Sequence, residues 1–229
     1  MMRAPLPQGE QKARAVRTMF DGIARRYDLV NRIMTFGLDV RWRKRATRAL
    51  GLPAGSVVLD LACGTGDFCR ELARGGMRAI GFDFSFGMLA AARTNAPLVQ
   101  ADILSLPVRD ARADGITCGF ALRNVVDLKA LFAELARTLR SGGRIALLEV
   151  SEPRSRFLRW GHGIYFNRIV PFIGGLLSDR AAYSYLPASV AYLPPRDELL
   201  DMLHAAGFPD VRRVSLSGGV AQLLVGTRQ

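Results

Sequence analysis

Short apolar runs alternate with amphipathic stretches along most of this chain. Val57-Val58-Leu59-Asp60-Leu61 lies between Gly55 and Gly64 and has the pattern of a strand buried on both faces. The turn Gly64-Thr65-Gly66 follows, and then Phe68, Leu72 and Ala73 recur at helical spacing. Ala79 to Asp83 predicts a second strand, Ser85 to Asn95 a helix carrying Met88, Leu89 and Ala92, and Leu98 to Asp102 a short third strand. Asp114 to Phe120 is the fourth. Leu128, Leu131, Phe132, Leu135 and Leu139 then trace a helical stripe that stops at Ser141-Gly142-Gly143. Arg144 to Val150 is a strongly apolar fifth strand. Such alternation predicts right-handed crossovers and a mostly parallel sheet.

The two ends of this core read differently. Residues 1–14, with Pro5, Pro7 and Gly9, are expected to form a loose tail. Val16, Met19, Phe20 and Ile23 recur at helix spacing, as do Trp42, Ala46, Ala49 and Leu50, with a break at Gly37 and an end at Gly51 and Pro53. Residues 15–55 are therefore a helical cap. Residues 153–195 depart from the alternation and mix aromatics such as Trp160, Tyr165, Phe172 and Tyr183 with Arg154, Arg156, Arg159, Arg168 and Arg180. Such an insertion can line an apolar substrate pocket or simply pack onto the sheet. Arg196 to Ala206 is a helix closed by Gly207, and Val211–Ser217 with Val220–Thr227 reads as a terminal hairpin that adds an antiparallel edge strand. The expectation is one α/β domain over 15–229, with its seven-stranded core in 56–152 and 196–229.

Ligand chemistry enters at the strand tips. Gly64 and Gly66 suit a turn whose backbone must approach a ligand closely. Asp60 sits at the carboxyl end of its strand, where open α/β sheets bind ligands. Asp83 ends the next strand about 20 positions later, the offset at which an acid meets the ribose of a bound nucleotide. The third glycine of the dinucleotide fingerprint is missing, so the pattern points to an adenosine-type ligand in general.

Composition narrows the setting. The 229 residues are 49% hydrophobic, ample for a core, and carry a net charge of +12 with a pI near 10.7. Lys12, Lys44 and Lys129 are the only lysines, so the excess is arginine. That surface would attract RNA, anionic lipid or acidic substrates, or stand as a solvated face. The densest cluster, Arg41, Arg43, Lys44, Arg45 and Arg48 around Trp42, carries the same alternatives. Cys63, Cys69 and Cys118 are odd in number and lack metal-like spacing with His162 or His204, which predicts a reduced cytosolic setting and no structural metal. The apolar run Ile169–Leu177 is too short to span a bilayer, so a soluble or surface-lying protein is expected.

Four segments carry a more specific resemblance. Leu59 to Asp67 resembles motif I of class I S-adenosylmethionine-dependent methyltransferases. Phe20-Asp21-Gly22-Ile23-Ala24-Arg25-Arg26-Tyr27-Asp28, Leu122-Arg123-Asn124-Val125, and Ser141-Gly142-Gly143-Arg144 with Leu148-Glu149 are similar to the quinone-biosynthesis C-methyltransferases that act on demethylmenaquinone or on a ubiquinone precursor. The similarity runs from about Thr18 to Thr227.

The resemblance implies the class I Rossmann-like methyltransferase fold and S-adenosyl-L-methionine as cofactor. It places Asp60, Gly64, Thr65, Gly66 and Gly119 around the donor, Asp83 on the ribose hydroxyls, and Asp102 with Ile103 beside the adenine. The family often has serine where this chain has Gly119, which leaves only backbone contact there. The acceptor implied is a prenylated quinol. Arg123 would stabilise its phenolate or orient a water that takes the proton, with Asn124 beside it and Tyr27 on the ring oxygen. Benzoquinol and naphthoquinol acceptors share these motifs. An isoprenoid tail implies transient contact with a membrane surface, so a cytoplasmic protein peripheral at the inner face of the membrane is expected. An RNA methyltransferase would suit the charge, yet no RNA-binding module accompanies it, so no nucleic-acid partner is expected. A silent nucleotide-binding scaffold is opposed by the intact set of strand-tip acids, and a homodimer is left open.

Overall fold

The computed structural model describes residues 8–153 and 155–229. Its two cap helices, α1 (Gly9–Met34) and α2 (Leu38–Leu50), precede a single sheet of β1 (Val57–Leu61), β2 (Arg78–Asp83), β3 (Leu98–Gln100), β4 (Ala113–Gly119), β5 (Leu139–Val150), β6 (Arg212–Leu216) and β7 (Ala221–Thr227). The spatial order is β3-β2-β1-β4-β5-β7-β6. Strands β1 to β5 run parallel, whereas β7 runs against both β5 and β6. The antiparallel strand expected at this end of the sheet is therefore β7, with β6 outside it. The chain leaves β1 for β2 and β3 on one side, then returns to β4 on the other. That reversal opens a crevice at the carboxyl ends of β1 and β4, the place where such sheets bind ligands.

Two-residue periodicity explains how both faces are covered. Leu59, Leu61, Ile145, Leu147 and Leu224 face α5 (Leu128–Thr138) and α9 (Arg196–Ala205), where Leu131, Phe132, Leu135 and Leu203 are fully buried. The alternate residues Val58, Ala146, Leu148, Leu223 and Val225 face α2 and α3 (Asp67–Arg74) through Trp42, Ala46, Leu50, Phe68 and Leu72. The cap has a third cluster of its own, in which Ile23, Val30 and Met34 of α1 pack on Val170 and Ala182 of the insertion.

Several boundaries move from those expected, each for a local reason. The tail of residues 1–14 is helical from Gly9, and residues 1–7 lie outside the described ones. Lys12 anchors this end: it is buried, its ammonium donates to the Val125 carbonyl at 2.9 Å and it sits 3.7 Å over the Tyr192 ring. The helix expected over Ser85–Asn95 is only α4 (Phe86–Ala90), capped by Ser85, whose hydroxyl accepts the Met88 N–H. Beyond it the Arg93 N–H bonds the Thr65 carbonyl and Arg70 takes the Arg93 carbonyl, which pulls the chain toward the glycine turn. The third strand stops at Gln100, two residues short.

The insertion folds as α6 (Arg156–Ile164), a π turn (Tyr165–Ile169), α7 (Val170–Leu177) and α8 (Arg180–Ser189). Arg154 and the side chains of Arg156, Arg180 and Tyr183 lie outside what is described. Helix α1 crosses above the carboxyl ends of the strands and is held there by Asp21, which accepts the Ser85 hydroxyl at 2.6 Å and the Gly87 N–H at 2.8 Å. A side chain at position 87 would stand 2.9 Å from Asp21 Cα, so glycine is what admits this approach.

Candidate active site

A cleft of about 160 Å³ opens at the tips of β1, β2 and β4, beneath α1. Asp60, Gly64, Thr65, Asp83, Asp102, Ile103 and Gly119 all line it, so the strand-tip residues picked out in the sequence converge on one space. Its roof is Ala13, Val16 and Phe20 of α1.

Asp83 organises the turn. One carboxylate oxygen accepts the Gly64 N–H at 2.7 Å and the other the Ser85 N–H at 2.8 Å. Burial pushes its pKa above the ordinary carboxylate value while these backbone donors oppose the rise. Gly64 has φ of +55°, and a Cβ placed there would meet no protein atom. The backbone thus faces open cleft, as a close-approaching ligand requires. The Thr65 hydroxyl donates to Asp28 of the cap, so the turn is also tied to α1. Asp102 is exposed at the cleft edge, where its side chain accepts the Leu104 N–H at 2.9 Å. Gly66 is the exception. It does not line the cleft; its φ of +84° makes the turn, and a Cβ would collide with Thr94 at 2.6 Å.

Gly119 explains its own departure from the resembled pattern. A Cβ there would lie 2.7 Å from the Phe68 ring, so that ring fills the space a serine would need.

Asp60 is buried beneath the turn, where its carboxyl accepts the Thr117 hydroxyl at 2.8 Å and the Cys69 thiol at 3.4 Å. Burial raises its pKa from 3.8 to about 7 despite those donors. The folded state therefore holds this proton after the unfolded chain has released it, and stability falls as pH rises from about 4 to about 7. Asp60→Asn keeps the acceptor for Thr117 and removes that titration. Urea denaturation at pH 5 and pH 8 should show the wild type losing on the order of 2–4 kcal/mol more than the variant over this interval. Equal losses would contradict the assignment.

A second cavity of about 220 Å³ lies behind the first and is lined chiefly by apolar groups, among them Met34, Trp42, Tyr165, Phe166 and Val170. Tyr27, Arg43 and Phe120 line both cavities and so form their common wall. The Tyr27 hydroxyl is hydrogen-bonded to the Asn31 side chain and faces the charges of Arg123 and Arg43. Burial raises its pKa, and the two guanidinium groups act against that rise.

The neighbours Arg123 and Asn124 part company. Arg123 lines the second cavity, Asn124 the first, because the chain makes a 3-10 turn at Leu122–Asn124. Arg123 is buried, ion-paired through Nη1 with Glu149, and its Nε donates to the Ser189 hydroxyl at 3.1 Å. Glu149 is itself fully buried and also accepts the Arg123 backbone N–H at 3.2 Å. Asn124 Oδ1 accepts the Tyr185 hydroxyl at 3.1 Å.

Sequence reasoning placed Arg43 among a surface basic cluster, and the structure overturns this. Arg41, Lys44, Arg45 and Arg48 are exposed, whereas Arg43 is only 8% exposed. It pairs with Asp39 at 2.6 Å and Asp67 at 3.5 Å, and its guanidinium lies 5.8 Å and 5.4 Å from the Phe68 and Phe120 ring centroids. The one available signal was the Asp39–Arg43 spacing, which places the pair on one helix face. Among the described residues no three His, Cys, Asp or Glu side chains gather as a metal site.

A parallel sheet with a reversed β7, a glycine turn after β1 and acids at the strand tips together define the class I methyltransferase architecture. A solved structure with this fold is phosphoethanolamine N-methyltransferase 2 of Haemonchus contortus in complex with S-adenosyl-L-methionine, at a TM-score of 0.55 and 13% identity over 77% of this chain and 49% of that one. The chain belongs to the ubiE/COQ5 methyltransferase family, whose pattern it matches over residues 8–228. It is 43% identical to a demethylmenaquinone methyltransferase of Roseiflexus castenholzii, covering 98% of both chains. It is also 41% identical to the ubiquinone/menaquinone biosynthesis C-methyltransferase UbiE of Syntrophotalea carbinolica, covering 93% of both.

Proposed function

We propose that the protein transfers a methyl group from S-adenosyl-L-methionine to a ring carbon of a reduced prenylated quinone, with demethylmenaquinol as the acceptor. The observation that carries this reading is the pair of cavities divided by Tyr27, Arg43 and Phe120. The first is suited to an adenosine-type donor, the second to an apolar ring. The relatives named above support the same acceptor class, and a ubiquinone-precursor benzoquinol is the second reading that their names support. A largely apolar acceptor cavity suits neither a nucleobase nor a phosphate chain, which argues against an RNA acceptor.

The residues fit the donor. Asp83 keeps lone pairs for ribose hydroxyls beyond its two backbone bonds, the Gly64 backbone faces the cleft without a side chain, and Asp102 and Ile103 stand at its edge. When bound, S-adenosyl-L-methionine supplies a methyl group already activated on sulfur. The protein's task is to align the acceptor carbon, exclude water and increase electron density in the ring. Alignment of this kind supplies ~7–11 kcal/mol of a barrier. The Tyr27 hydroxyl donates a hydrogen bond to the quinol oxygen, and the Arg123 and Arg43 guanidinium groups favour the phenolate form of that oxygen. The phenolic proton leaves to water held beside Arg123. Phe20 and the rest of α1 cover the donor cleft, which keeps bulk water off the reacting carbon.

Mass spectrometry of quinones from a strain lacking this protein tests the reading. Accumulation of a demethylated menaquinone is the expected result, and restoring the gene should remove it. An unchanged quinone profile would end the proposal. With purified protein, Tyr27→Phe should lower kcat about tenfold or more while the Kd for S-adenosylhomocysteine stays within about twofold. A shift in Kd alone would mean that Tyr27 holds the cap and not the acceptor.

A further inference from the structure

Helices α6 and α7, joined by the π turn, present Trp160, Ile164, Arg168, Phe172 and Leu176 at every fourth position. These side chains do not face the cap. Trp160 is 67% exposed, Phe172 71% and Leu176 76%, while Val170 on the opposite side is buried against α1. The segment is thus apolar toward solvent at four of these five positions. A second exposed stripe, Leu29, Ile33, Phe36 and Val40, runs from the end of α1 into α2. Phe36 brings the second stripe up to the first: its ring centroid lies 5.8 Å from that of Tyr165, the sequence neighbour of Ile164, and it is 79% exposed. It also has φ of +52°, a conformation uncommon for a bulky residue, which turns a large aromatic outward at a cost in backbone energy.

Isolated exposed apolar residues need no explanation, but two neighbouring stripes that together expose eight large apolar side chains do. We infer that this face docks on the surface of an anionic lipid bilayer and that the second cavity is loaded from it. The inference deepens the acceptor reading above, since a prenyl tail is the chemistry that needs such a route.

Charge and continuity select this occupant. Between Ser155 and Ser178 the chain has no acidic residue, and Arg168 lies within the stripe. Arg25, Arg41, Lys44 and Arg45 are exposed around the second stripe. Cations flanking an apolar face suit anionic headgroups above an acyl layer. A second copy of a chain with net charge +12 would instead bring like charges together. Continuity points the same way: Phe36 of the second stripe and Tyr165, beside Ile164 of the first, both line the second cavity, so the cavity reaches the proposed lipid face. A tail can remain in acyl chains while its ring enters toward Tyr27.

The protein carries its own reporter. Of its two tryptophans, Trp42 is buried and hydrogen-bonded to Ser217, while Trp160 lies in the stripe. Mixing with phosphatidylcholine–phosphatidylglycerol vesicles should shift tryptophan emission to the blue, and brominated acyl chains should quench it. Trp160→Phe should abolish both responses. Phe172→Ser/Leu176→Ser, which touches neither cavity lining, should weaken vesicle partition about tenfold or more, because two large apolar groups then stay in water. That variant should methylate a short-tailed acceptor in solution at the wild-type rate and lose rate only with acceptor embedded in vesicles.

Equal vesicle binding by wild type and variant would overturn the inference. So would a dimer that the variant converts to monomer without any vesicle binding. Absence of methyl transfer to the short-tailed acceptor by the wild type would instead count against the acceptor reading, and leaves the vesicle result to stand by itself.

Discussion

Arg123→Ala should abolish methyl transfer and also lower stability, and the second effect has to be separated from the first. The guanidinium is the counter-ion of Glu149, which is fully buried. Removing it strands a carboxylate without its cation, a change that costs about 3–5 kcal/mol where it has been measured. The Glu149 side chain would also lose its partner while still accepting the Arg123 and Val150 backbone N–H groups. Arg123→Ala with Glu149→Gln removes the uncompensated charge and should recover most of the stability. Turnover should remain down by about a hundredfold to a thousandfold in the double variant, as expected when a charge-stabilising donor is lost from the reacting oxygen. Denaturation midpoints and kcat on the same preparations decide it. If the double variant regains turnover along with stability, Arg123 is a structural partner of Glu149 and the phenolate role is wrong.

Asp83→Ala should raise the Kd for S-adenosylhomocysteine by about a hundredfold or more, together with a loss of stability of at least comparable size. Two backbone donors, Gly64 and Ser85, lose a charged acceptor at once, and each such bond is worth about 1.5–3 kcal/mol. The same carboxylate is the group proposed to receive the ribose hydroxyls, so binding falls both through lost contacts and through a loosened turn. Asp83→Asn leaves an acceptor for only one of the two N–H groups and should fall between wild type and alanine. Calorimetry with S-adenosylhomocysteine measures both. A Kd within about threefold of wild type for Asp83→Ala would mean that the cleft does not take the donor in this orientation.

The sheet was legible because a doubly covered parallel sheet writes its strands as short apolar runs ending in turn residues. Val57–Leu61 and Arg144–Val150 declare themselves without reference to the rest of the chain. The donor cleft was legible for a related reason. Its acids sit at strand tips, and the alternation of strand and helix already carries those tips to one edge of the sheet, so Asp60, Asp83 and Asp102 meet there by topology alone. The end of α4 was misjudged because Arg70 and Thr65 take the backbone groups of Arg93, a contact across the glycine turn that no local pattern records. The tail was misjudged for the same kind of reason: Lys12 is held by Val125 and Tyr192, far away in sequence.

Local periodicity and turn chemistry, then, determined the strands, their mostly parallel run and the glycine turn, and four motif segments carried the resemblance to the family to which the chain belongs. Burial and partnership belonged to the tertiary structure. It turned Arg43 inward between two aromatic rings, paired Arg123 with Glu149, filled the space at Gly119 with Phe68, and set Arg123 and Asn124 in different cavities. The physical reason is that a side chain's charge is written in the sequence, but its desolvation and its counter-ions are supplied by elements that only the fold brings beside it.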